Sequence, residues 1–216
     1  MTDVITQRAV DYLVSDRRAR GARKVPIQLK EHIVEIISDS GEGAQKCGQS
    51  LGTIAAQMGN GVWTTKIIPA EIRPPARSVA GATGNRIRIG AGPISNGGDE
   101  TDLVIAFNEQ VLLGRVRAKE LKPDCIILLE DMWRTDPDAS VVASYIETHD
   151  RLVNAGYRVH EVPMERECRT LVADARKGKT MFAIRHALSA LQSASWAGAR
   201  TDYRDFRQEG PTRRRC

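Results

Sequence analysis

Aromatic side chains make up only 5% of this 216-residue chain. That is too few to supply the stacked platforms of a dedicated single-strand nucleic-acid binder. The four cysteines, Cys47, Cys125, Cys168 and Cys216, lie far apart and form no Cys-x-x-Cys pair. Neither a zinc ribbon nor a locally ligated iron–sulfur cluster can be built from them, so they read as reduced thiols. The four histidines, His32, His149, His160 and His186, have no spacing suited to a metal site or a catalytic triad. No apolar run reaches membrane-spanning length and no charged, apolar, small-residue leader opens the N-terminus, so the expected compartment is the cytoplasm.

Positive charge is in excess by five, but it is concentrated at the ends. Residues 1–31 carry a net +3 and residues 185–216 a net +4, which leaves the body at about −2. Basic ends on a mildly acidic body do not make the one-face basic patch of a nucleic-acid interface.

The stretch from His32 to Asn60 holds the strongest structural signal. Ile33, Val34, Ile36 and Ile37 suit a strand buried on both faces, and Gly41 and Gly43 turn the chain into a helix. A turn of this kind sits where open α/β sheets bind ligands. It is not a dinucleotide fingerprint, because Lys46 stands at the third glycine position and Asp39 and Glu42 would repel a phosphate. In the helix, Cys47, Leu51, Ile54, Ala55 and Met58 share one face, and Gly48 and Gly52 form a small-residue stripe beside it.

Beyond this unit, Val62–Ile72 reads as a second strand, stopped by Pro74 and Pro75, and residues 73–85 as a long loop. Arg86–Ile89 alternates as a short strand, and Asn96 to Asp99 is a turn. Asp102–Phe107 is a buried strand followed by a helix over 110–121, and Cys125–Glu130 is another strand. Asp136-Pro137-Asp138 opens a helix to Asn154, ended by Gly156, and Tyr157–Val162 closes the series. Strands separated by helices predict a single α/β domain, Rossmann-like, with a mostly parallel sheet and helices on both faces. Its expected extent is 32–183, preceded by a mobile extension over 1–31 and followed by a basic tail over 184–216.

These residues together resemble the gamma subunit, or N-terminal gamma-type domain, of the 2-oxoacid:ferredoxin oxidoreductases, especially the fused form of the 2-oxoglutarate enzymes. The resemblance is carried by Ile33–Gly61, Pro69–Ser78, Asn85–Gly90, Thr101–Gln110, Leu128–Trp133 and Tyr157–Met164, and spans roughly residues 25–183. It implies service in oxidative decarboxylation of a 2-oxoacid to an acyl-CoA. Thiamine diphosphate, magnesium and iron–sulfur clusters would be held by alpha-type and beta-type partners, with ferredoxin as electron acceptor. No membrane partner is implied, and the chain alone is expected to be inactive.

Coenzyme A carries phosphates and amides, so candidate contacts are cations, free N–H groups and small residues. On this reading they are Ser40, Gly41, Gly43 and Ala44 in the first turn, Arg73, Arg77, Ser78, Gly81 and Gly84 in the proline-framed loop, and Asn108 and Gln110 at the same sheet end. A subunit interface serves the loop residues equally well, and helix capping serves Asn108. Arg73 and Arg77 are expected to contribute little to folding. The rival reading is a freestanding Rossmann-like nucleotide-binding module. In the tail the resemblance stops after Ala183, and the text there is compatible with a shifted reading frame or with a divergent short subunit.

Overall fold

The computed structural model of the protein describes residues 30–171 and residue 183. The expectations for the N-terminal extension and the tail lie outside the described residues, except that Glu31 already belongs to the first strand. Six strands form one sheet: β1 (Glu31–Ser38), β2 (Gly61–Ile67), β3 (Thr83–Gly90), β4 (Thr101–Ala106), β5 (Leu121–Glu130) and β6 (Arg158–Val162). Their spatial order is β2-β3-β1-β4-β5-β6. β1, β4, β5 and β6 pair in parallel, whereas β3 runs antiparallel to both β1 and β2. Five strands therefore point one way and β3 alone opposes them, which bears out the mostly parallel α/β fold.

Helices connect or flank the strands among the described residues: α1 (Ala44–Gln57), α2 (Gln110–Arg117), α3 (Ala139–Asn154) and α4 (Met164–Leu171). Strand alternation divides the core between the two faces of the sheet. Val34, Ile36, Ile87, Leu103 and Ile105 pack with Cys47, Leu51 and Ala55 of α1 on one face. Ile37, Val104, Ala106, Ile127 and Leu129 pack with Val111 and Leu112 of α2 and Tyr145 and Leu152 of α3 on the other. The glycine stripe of α1 lets this helix lie close on the sheet. A Cβ at Gly48 would collide with the Asn85 side chain, and one at Gly52 would come within 2.9 Å of Thr64.

Several boundaries differ from the sequence reading, among them the start of β5, which lies at Leu121 and not at Cys125. β2 ends at Ile67 and not Ile72, because Pro69 interrupts the ladder before the Pro74-Pro75 pair is reached. β3 starts at Thr83, so Gly84 belongs to a strand and not to the loop; it pairs with Ile37, and a Cβ there would strike the carbonyl oxygen of Ile36. α2 stops at Arg117, because Lys119 takes a left-handed φ of 56° that turns the chain into β5 at Leu121. The start of α3 follows the sequence: the Asp138 carboxylate accepts the Ser140 N–H at 2.8 Å as its N-cap. Among the described residues no helix is long and apolar enough to cross a membrane.

Candidate functional site

The strand order reverses between β1 and β4. From β1 the chain crosses through α1 toward β2 on one side, and from β4 it crosses through α2 toward β5 on the other. The carboxyl ends of these two strands bound the crevice where α/β sheets place ligands. Asp39 follows β1 there, and Asn108 and Glu109 follow β4.

In this protein Arg77 fills that crevice. It arrives on the loop after β2 with a φ of 53°, a left-handed conformation that an arginine adopts only under constraint. Its backbone N–H donates to Asp39 Oδ2 at 2.7 Å. Its guanidinium Nη2 pairs with Glu109 Oε1, and the group lies 4.2 Å from the centroid of the Trp133 ring. Trp133 is held in turn by its indole N–H, which donates to the Phe107 carbonyl at 2.7 Å. Gln110 Nε2 donates both to Glu109 Oε1 and to Ser144 Oγ of α3. The Glu109 side chain is fully buried and that of Arg77 is 14% exposed.

Glu109 engages the Arg77 guanidinium and Asp39 its backbone N–H, so two carboxylates stand beside one cation here. Asp39 Oδ1, Glu109 Oε2, Arg77 Nη1 and Asn108 Nδ2 are buried and make no hydrogen bond among the described residues. An incoming phosphate would meet those carboxylate oxygens and would have to displace Arg77. The crevice is closed by the chain itself, and its electrostatics are wrong for a nucleotide phosphate.

The remaining candidates divide by exposure. Ser40, Gly41 and Arg73 are exposed, and Gly43, Ser78 and Gln110 are half-buried. Ala44, Gly81, Gly84 and Asn108 are buried. The Asn108 Oδ1 accepts the Val111 N–H at 3.1 Å, which is the capping role. Ser78 Oγ accepts the Gly81 N–H at 3.2 Å and donates to the Pro75 carbonyl at 2.7 Å, so it shapes the loop. Gly41 and Gly43 have φ of 90° and 92°, as the first turn demands. Glu42 bends back so that its Oε2 accepts the Asp39 N–H at 3.1 Å. Sequence reasoning did not assign Glu109 and Trp133 to the site. The available signal was the acidic residue directly after a buried parallel strand, the position at which a crevice-facing side chain is expected.

The described residues do not fit the metal-based cofactors of oxidative decarboxylation. Among them no group of three or more His, Cys, Asp or Glu can hold a metal ion. Cys47, Cys125 and Cys168 are buried in separate places and form no disulfide with one another. Burial pushes the Cys125 thiol up to about 12, with Asp102 and Glu35 adding to the shift, so it is neither a ligand nor a nucleophile at neutral pH. His32 is shifted below the ordinary histidine value, chiefly by burial, with Lys122 opposing its protonation and Asp102 favouring it.

Residues 34–199 match the family described as Pyruvate ferredoxin/flavodoxin oxidoreductase. The chain belongs to this family. A curated relative, the 2-oxoglutarate oxidoreductase subunit KorA of Mycobacterium tuberculosis, is 27% identical over 165 residues, which cover 73% of this chain and 25% of that protein. The chain thus spans about a quarter of the length of that relative. Among solved structures, it resembles the 2-oxoglutarate:ferredoxin oxidoreductase of Magnetococcus marinus, solved with 2-oxoglutarate, coenzyme A and succinyl-CoA bound. The TM-score is 0.53 and the identity 23%, covering 76% of this chain and 24% of that one. It also resembles the gamma subunit of a keto/oxoacid ferredoxin oxidoreductase from Geobacter sulfurreducens, with a TM-score of 0.55, 12% identity, and coverage of 77% and 79%. At these identities the two structures establish the shared fold.

Proposed function

We propose that the protein is the gamma-type domain of a 2-oxoacid:ferredoxin oxidoreductase complex, the assembly that decarboxylates a 2-oxoacid oxidatively and forms an acyl-CoA. The observation that carries this reading is the family match over residues 34–199. The closed crevice supports it over a freestanding nucleotide-binding module, because Arg77, Asp39 and Glu109 occupy the place where such a module holds a phosphate.

In this role the domain supplies surface and not the catalytic centre. Thiamine diphosphate, magnesium and the iron–sulfur clusters belong to alpha-type and beta-type partners, and ferredoxin engages the complex through them. This chain contributes the exposed turn of Ser40 and Gly41 and the cation of Arg73 on the loop between β2 and β3. A guanidinium there offers charge-assisted hydrogen bonds to a CoA phosphate. The Arg77 knot holds that loop in place from below.

The test is a reconstituted complex of this chain with alpha-type and beta-type chains, assayed for CoA dependence. Arg73→Ala should raise the apparent KM for CoA severalfold with little change in kcat, the signature of lost binding that is equal in ground and transition states. An unchanged KM for CoA removes Arg73 from the CoA site.

A further inference from the structure

The loop between β2 and β3 presents large apolar side chains to water from a rigid support. Ile72 is 101% exposed and Ile68 is 73% exposed. Arg73, directly beside Ile72, is exposed and makes no ion pair among the described residues. The loop that carries them is framed by Pro69, Pro74 and Pro75. It is closed at its base by the Ala70 N–H donating to the Ala80 carbonyl at 2.9 Å, by Ser78 across the short 3-10 turn at Val79–Gly81, and by the Arg77 bonds to Asp39 and Glu109. A side chain held this way has already lost much of the freedom that binding would otherwise take from it.

From this geometry we infer that Ile68 and Ile72 are the anchors by which this domain docks onto the alpha-type part of the oxidoreductase, entering an apolar surface there. This rests on the reading above. The occupant follows from length and place. In the curated relative, the matched region is a quarter of one continuous polypeptide, so its neighbour is the other three quarters of that chain. The loop leaves the sheet at the carboxyl edge beside the β1/β4 crevice, and it carries the two most exposed large aliphatic side chains among the described residues, Ile72 and Ile68. Large apolar side chains held out on a loop suit the desolvated core of a protein–protein interface, and a phosphate-bearing ligand has no use for two isoleucines.

The experiment co-expresses the full chain with alpha-type and beta-type oxidoreductase chains and measures binding by co-elution and by titration of the separately purified components. Ile68→Asp and Ile72→Asp should each weaken the dissociation constant about tenfold or more. Far-UV circular dichroism and the melting temperature should stay at wild type, because neither side chain packs in the core. Ile146→Asp on α3, another exposed isoleucine, serves as the control and should bind normally. If the wild-type chain binds and both loop variants bind equally well, the docking assignment is wrong while the proposed function stands. If the wild-type chain does not bind at all, the proposed function fails and the docking inference with it. If light scattering shows wild-type self-association that Ile72→Asp abolishes, the tip is an interface between copies and the inference is overturned.

Discussion

At the scale of single residues, Arg77 carries the most. The sequence places it in a proline-rich loop, where a surface arginine changes stability by under about 0.5 kcal/mol on replacement. The structure corrects that expectation, because removing Arg77 leaves the fully buried Glu109 carboxylate without its counter-charge, held only by Gln110 Nε2. Arg77→Ala should therefore destabilise the domain by roughly 3 kcal/mol in urea unfolding, the cost of breaking a buried pair from one side. The double variant Arg77→Met with Glu109→Leu should recover more than half of that loss, since both charges leave together. A loss below about 0.5 kcal/mol for Arg77→Ala would return the residue to the surface. Arg73 keeps the original expectation: it is exposed, and its replacement should leave the melting temperature unchanged.

His32 sets a pH dependence whose sign follows from its burial. Its folded value lies below the ordinary value of 6.5, so on acidification the unfolded chain takes up a proton before the folded one does. Stability is then full above pH 6.5 and falls as pH drops from there toward the folded value. Replacing His32 with Gln should flatten the stability profile in that window, measured by urea midpoints between pH 5 and 7.5. A variant profile that overlays the wild type would contradict the assignment. The cysteines behave alike: Cys47, Cys125 and Cys168 are buried. A maleimide at pH 7.5 should label these three only after unfolding.

At the scale of elements, the β1-turn-α1 unit was fully legible, because β-branched density, two glycines and a 3.6-residue stripe all agree. Gly48 shows how tightly that unit is built. Gly48→Ala removes a flexible helix residue, yet it should lower the melting temperature, because the new methyl group meets the Asn85 side chain and forces α1 off the sheet. The helix-propensity gain alone would raise it. What stayed illegible was the antiparallel insertion of β3. Its first residues, Thr83-Gly84-Asn85, are small and polar and read as loop, and only the pairing with both β1 and β2 makes them strand. The Arg77 knot was half legible. Asp39, Asn108 and Arg77 were each noticed from local sequence, but their meeting depends on a loop of fifteen residues folding back over the switch point, which no short-range pattern encodes.

At the scale of the whole molecule, the fold and the family agree. The described residues hold no cluster ligands, and the crevice that would take a nucleotide is closed. Equilibrium dialysis against NAD and ATP should accordingly show no binding at ligand concentrations up to about 1 mM, where a working nucleotide site is saturated. In the proposed role this chain serves 2-oxoacid oxidation without carrying it out. The most direct measurement is 2-oxoacid-dependent and CoA-dependent reduction of a viologen dye, followed for the purified chain alone and for alpha-type and beta-type chains with and without it. The expectation is no reduction by the chain alone and a CoA-dependent rate that rises when it joins its partners. Dye reduction by the chain alone, or a rate indifferent to its addition, would contradict it.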